Sequence, residues 1–202
     1  MLFSLAAFAL LSAACEGPGL TKIDDATLPV LLLGSDPLPE NEADIPLVSV
    51  MTEQTVTIPD APKVKLAIDR KVPWAQVKAI ISEMESRGQE PVLLVAKRRK
   101  VQAFHLSDQL DGPIVEVYAT TEGKICVHHP DAREAKCSQG QDRKYIDAVY
   151  VRTLVREAVD GYKRTNFEVS LPNSLTWGDA VAAIGGTRSC CGERLIRVQV
   201  RR

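Results

Sequence analysis

Trp74 and Trp177 are the two tryptophans of the chain, and they stand at matching places 103 residues apart. Each follows a short stretch in which apolar residues alternate: KVKLAI (63–68) before Trp74, FEVSL (167–171) before Trp177. Alternation places one apolar face on a strand. Each tryptophan then opens a stretch with helical spacing. Trp74, Val77, Ile80, Ile81 and Met84 fall on one stripe, and Thr176-x-x-Asp179 resembles a capping box with Asp for the usual Glu or Gln. A second apolar run follows each helix, PVLLVA (91–96) and LIRVQV (195–200). Laid over each other without a gap, residues 63–97 and 166–200 share six identities in 35 positions. The likeness therefore lies in the pattern, and the pattern predicts two strand–helix–strand units with parallel strands and right-handed crossovers.

The rest of the chain fills in around these units. Leu47–Ile58 has strand composition. KRRK (97–100) reads as a turn between PVLLVA and a return strand VQAF (101–104). IVEVYAT (114–120), a glycine turn and KICVH (124–128) predict a hairpin. A polar stretch, 129–144, leads to a helix over Tyr145–Tyr162 with Ile146, Val149, Leu154, Val155, Ala158 and Val159 on its apolar face. Gly185-Gly186 reads as the end of the last helix. The expected fold is α+β: two related small modules, 47–108 and 109–202, each a mixed sheet packed by helices, the second in the order ββαβαβ. With only 5 % aromatic residues, the core is expected to be aliphatic.

The N-terminus has a different character. Residues 1–14, MLFSLAAFALLSAA, carry no charge and are shorter than the roughly 20 residues that span a bilayer. They read as a signal peptide. The junction Leu11-Ser12-Ala13-Ala14-Cys15 resembles a bacterial lipobox, which makes Cys15 the expected lipidation site. Residues 15–46, with Pro18, Pro29, Pro37, Pro39 and Pro46, read as an extended tether. The expected location is the bacterial cell envelope, lipid-anchored and facing the periplasm.

VKLAIDRKVPWAQVKAIISEM (64–84), VSLPNSLTWGDAVAAI (169–184) and the hairpin IVEVYATTEGKICVH (114–128) together resemble the periplasmic domain of the ExbD/TolR biopolymer-transport family. That resemblance implies a non-enzymatic binding or accessory subunit without a cofactor. It implies partners among envelope proteins, such as an ExbB/TolQ-type complex or the cell wall, and dimerisation. Family members carry a membrane helix with an acidic residue that takes part in proton coupling. After residue 14 this chain has no apolar run of that length, so the resemblance implies the folded module and not the motor.

The chemistry-bearing residues leave alternatives. Four cysteines follow Cys15, namely Cys126, Cys137, Cys190 and Cys191, and an even number in an oxidising compartment favours disulfides. Three pairings are open. A second reading makes Cys126, His128, His129 and Cys137 metal ligands or redox thiols, although C-x-H-H-x7-C is not a standard zinc spacing. Lys97, Arg98, Arg99 and Lys100 form a solvated turn or a contact for anionic lipid or cell-wall polymer. His105 stands alone. A net charge of −1 supplies no overall field toward nucleic acid. Serine-hydrolase, zincin, phosphate-loop and dinucleotide motifs are missing from the sequence.

Overall fold

The structure, a computed structural model, describes residues 20–31, 37–106, 112–120, 124–138, 146–159, 166–189 and 197–201. In chain order the elements are β1 (Lys22–Ile23), β2 (Ala26–Thr27), β3 (Leu47–Val50), β4 (Lys63–Ile68), α1 (Trp74–Ser86), β5 (Glu90–Lys97), β6 (Lys100–Phe104), β7 (Val115–Ala119), β8 (Ile125–His128), β9 (Lys136–Cys137), α2 (Ala148–Ala158), β10 (Asn166–Ser170), α3 (Trp177–Arg188) and β11 (Arg197–Arg201). The fold is α+β. One sheet has the order β3-β4-β5-β6, parallel except for β6. The other has the order β11-β10-β7-β8-β9, with β11, β10 and β7 parallel. Among the described residues no helix is long and apolar enough to cross a membrane.

The inner faces of both sheets and all three helices share one apolar core. Val64, Leu66 and Ile68 of β4 meet Trp74, Val77 and Ile81 of α1 there, and Val115, Val117, Phe167 and Val169 meet Trp177 and Ile184 of α3. The outer faces differ. On the first sheet Ala67, Val92, Leu94 and Ala96 form a second apolar cluster beneath Ala26 and Leu28. Burial on both faces explains why PVLLVA is a continuous apolar run. On the second sheet β7 alternates, with Val115 and Val117 buried and Glu116 exposed between them, so its outer face meets solvent.

Residues 20–31 depart from the tether expected of a proline-rich stretch. β1 and β2 form a small hairpin, and Val30 bridges Ala96. The Thr27 amide donates to Asp69 Oδ2 at 2.9 Å, and the Arg70 amide donates to the Thr27 carbonyl at 2.9 Å. The segment thus ties the end of β4 to the end of β5. Its one proline, Pro29, is tolerated because it meets Ala96 through its carbonyl, while the Leu31 amide supplies the returning bond, so the missing N–H removes no ladder bond. Two smaller differences follow. The strand expected over Leu47–Ile58 is only β3, and the polar stretch 129–144 contains the short edge strand β9.

Strand and helix starts follow the 103-residue shift: Lys63 and Asn166 open β4 and β10, and Trp74 and Trp177 open α1 and α3. The shift fails after the helices. Lys63 lies opposite Glu90, whereas Asn166 lies opposite Arg197, four residues beyond Glu193 where a uniform shift ends. The second crossover is therefore longer, by about one helical turn.

The two helix starts face each other. The Trp74 amide donates to the Leu175 carbonyl at 2.8 Å, and the Trp177 amide donates to the Val72 carbonyl at 2.7 Å. Shifted by 103, each bond becomes the other, as in an isologous contact. Pro73 bridges Thr176 between them. The indoles stack with centroids 5.9 Å apart and planes 12° apart, and both are fully buried. A helix start leaves amides without partners in its own first turn. Pro73 provides no side-chain cap for α1, so the backbone of the other half takes one of those amides. At α3 the capping box between Thr176 and Asp179 is present as expected.

α3 continues through Gly185-Gly186 to Arg188, which corrects the expected helix end there. The reason is packing. A Cβ on Gly186 would lie 2.6 Å from the Ala148 carbonyl oxygen and 2.8 Å from the Val151 Cβ, so the glycine lets α3 approach α2. Gly186→Ala is expected to lose about 2 kcal/mol, because overpacking of up to about 3 kcal/mol exceeds the roughly 1 kcal/mol gained in helix propensity. Gly178→Ala, whose Cβ would meet the Arg70 carbonyl at 3.1 Å, should lose less. Urea midpoints of the two variants test that order. On α2 the buried face is Val151, Leu154 and Val155, whereas Val149, expected on that face, is 50 % exposed. Asp147 caps this helix, accepting from the Val149 and Tyr150 amides.

Candidate functional site

The uncovered face of the second sheet carries a polar row across three strands. Strand pairing sets Glu168 of β10 opposite Glu116 of β7, and Glu116 opposite His128 of β8. All three have the parity that points away from the helices, since Phe167, Val169, Val115, Val117 and Val127 take the core side. His128 Nδ1 lies 3.7 Å from Glu116 Oε2. With Ile114 and Pro130 they line a shallow cleft of about 320 Å³. The row thus offers carboxylate acceptors on two neighbouring strands and an imidazole on the third. Sequence reasoning missed both glutamates, although V-E-V and F-E-V each set one between two buried apolar residues.

The residues of the metal or thiol reading are not gathered into a ligand set. Cys126 and Cys137 are directly opposite on β8 and β9 and form a disulfide, with S–S 2.00 Å and Cα–Cα 4.0 Å. A disulfide sulfur is not a thiolate ligand. His128 faces the open cleft, whereas His129 is only 1 % exposed and accepts from the Asp131 amide through Nδ1 at 3.1 Å. The two histidines thus diverge, and among the described residues no group of three or more His, Cys, Asp or Glu could hold a metal ion. His105 is exposed on the chain leaving β6. Cys15, Cys190 and Cys191 lie outside the described residues.

Lys97, Arg98, Arg99 and Lys100 form the β5–β6 hairpin expected from the sequence. Lys97 pairs with Lys100, so the loop has two residues. Arg98 has φ 49° and Arg99 φ 65°. Two successive residues at positive φ are the mark of a type I′ turn, whose preferred residues are Asn-Gly. A side chain in the left-handed region costs roughly 1–2 kcal/mol per residue. Arg98→Asn combined with Arg99→Gly is therefore expected to raise stability by about 1–2 kcal/mol, seen as a higher melting temperature. No change, or a loss, would show that the arginines hold the turn by contacts of their own.

Comparison with protein-family models, with curated proteins and with solved structures finds no match to the chain. What the residues define is an α+β protein whose two sheets share one core, with residues 20–31 lying over one outer face and Glu116 exposed on the other.

Proposed function

We propose that the chain is a non-enzymatic lipoprotein of a bacterial cell envelope, facing the periplasm, and that it serves as a binding or accessory subunit of an envelope or transport complex. The observation that carries this reading is the Cys126–Cys137 disulfide, since such bonds form and persist in oxidising compartments. It agrees with export directed by residues 1–14 and with a lipid on Cys15.

The module reading draws on the order β7-β8-α2-β10-α3-β11, which is that of the ExbD/TolR periplasmic domain with β9 added. It also draws on the reciprocal Val72–Trp74 and Leu175–Trp177 bonds. A partner of the ExbB/TolQ type, or the cell wall, would then meet an outer surface such as the Glu116–Glu168–His128 cleft.

Two measurements test the proposal. Intact mass of the chain extracted from bacterial envelopes should show a mature form that begins at acylated Cys15. Cross-linking in intact cells should join it to an integral-membrane subunit of the ExbB/TolQ type. A cytosolic chain with unmodified Cys15 and reduced Cys126 and Cys137 would overturn the reading.

A further inference from the structure

We propose that the end of the first sheet bearing the Lys97–Lys100 hairpin docks on anionic phospholipid head groups and so sets how the folded part lies against the membrane. The proposal rests on the envelope-anchor reading above and assigns it a contact surface. Basic residues concentrate at that end. Arg98, Arg99 and Lys100 are exposed at the hairpin tip, and Arg70 and Lys71 are exposed just past the end of the parallel strand β4. The whole chain has a net charge of −1, so this end is a local reversal of sign. Two carboxylates near it keep their charge but are fixed by hydrogen bonds within the fold. Asp69 accepts from the Thr27 and Lys71 amides, and Asp24 accepts from the Ser49 hydroxyl on β3, at the far edge of the sheet from β6.

Three further observations select a lipid surface over a soluble anion. First, Val30 bridges Ala96, the residue before Lys97, and Val30 is 53 % exposed. Leu20, 47 % exposed, precedes Thr21, whose carbonyl accepts from the Leu28 amide. Apolar side chains beside basic ones suit the boundary between head groups and acyl chains. Second, only four residues stand between Cys15 and Leu20, a span of at most about 18 Å over the five residue steps. An acyl chain on Cys15 would hold this end, and not the opposite one, close to the bilayer. Third, Arg98 and Arg99 occupy a strained turn that Asn-Gly would form with less strain. Strain of this kind persists at binding sites, and two guanidinium forks at the apex of a hairpin present paired donors to phosphate oxygens.

The experiment uses the full chain in the mature form that cells produce, with that form identified by intact mass. It is placed in vesicles of phosphatidylcholine alone or of phosphatidylcholine with phosphatidylglycerol, and backbone amide exchange is followed at residues 97–100. Exchange is expected to slow severalfold in the anionic vesicles only, and high salt should remove the effect. Arg98→Lys with Arg99→Lys should retain only part of it, since the charge stays and the paired donors go. Arg98→Asn with Arg99→Gly should abolish it while the protein melts no lower than wild type, which separates lost binding from lost folding. Equal exchange in the two vesicle types overturns the proposal. So does protection by soluble anionic cell-wall fragments with none on vesicles. Absence of an acyl group at Cys15 refutes the anchor reading, and the comparison of vesicles still decides whether the hairpin meets lipid.

Discussion

Trp74→Ala and Trp177→Ala are each expected to destabilise the protein by about 3–5 kcal/mol, the range for removing a large buried aromatic. Both side chains are fully buried, and each stacks on the other, so either truncation opens a cavity lined by the surviving indole. Trp177 and Phe104 also pack in a T-shaped pair with ring centroids 6.0 Å apart, which joins the first sheet's last strand to the second half. Because the rings share an interface, the double variant should lose less than the sum of the two single losses. The shortfall should be about 0.5–1.5 kcal/mol. Trp→Phe at either site should be much milder. Neither indole N–H has an acceptor among the described residues, and an unsatisfied buried donor costs about 1–3 kcal/mol. Phenylalanine loses contact area but also removes that donor. Urea melts of the two single Ala variants, the double variant and the Phe variants form one test. Strict additivity would show that the rings do not act as a pair.

Removing the Cys126–Cys137 bond is expected to cost about 3 kcal/mol by the loop-closure relation, given its sequence separation of 11. The consequence should be local before it is global. β9 has two residues and pairs only with β8, at the edge of its sheet. Its other anchors are slight: the Ser138 amide donates to the Ile125 carbonyl, and Lys136 pairs with Glu157 of α2 across a half-exposed ion pair. An exposed pair of that kind contributes little. Cys126→Ala with Cys137→Ser, or reduction of the wild type, should lower the urea midpoint and give fast amide exchange at 136–138. A variant with an unchanged midpoint would show that the edge is held without the bond.

Much of this architecture is legible in the sequence because local and tertiary signals agree. Alternation in KVKLAI and FEVSL, the tryptophans at the helix starts and Thr176-x-x-Asp179 each point to the element that forms. Alternation in IVEVYAT and KICVH likewise points to the β7–β8 hairpin, whereas Cys126–Cys137 is one of three pairings that the sequence leaves open. Most of the failures share a physical cause: a partner far away in sequence sets the residue's role. Gly186 looks like a stop signal until the Ala148 carbonyl is seen against it. Pro29 marks a linker by composition, yet its carbonyl accepts from the Ala96 amide at 2.9 Å. Val149 fits a helical stripe by spacing, but a helix beginning at Ala148 turns it to solvent. The open-face cleft was hidden for the same reason, since Glu116 and Glu168 become neighbours only through β7–β10 pairing.

The bonds exchanged between Val72–Trp74 and Leu175–Trp177 also bear on the order in which the chain can fold. A ribosome, or an export channel, delivers the first half while its partner is still missing. Until Leu175 emerges, the Trp74 amide lacks its acceptor and a fully buried indole lacks its stacking partner. The decisive contacts span about half the molecule, so loop closure must precede much of the stabilisation, and folding should be slow for a protein of this size. In that interval the Trp74 indole and the side of α1 that meets α3 lack their cover, which favours aggregation. Nascent chains truncated before Leu175 should therefore remain protease-sensitive and bind holding chaperones, and protection should arrive in one step once α3 is complete.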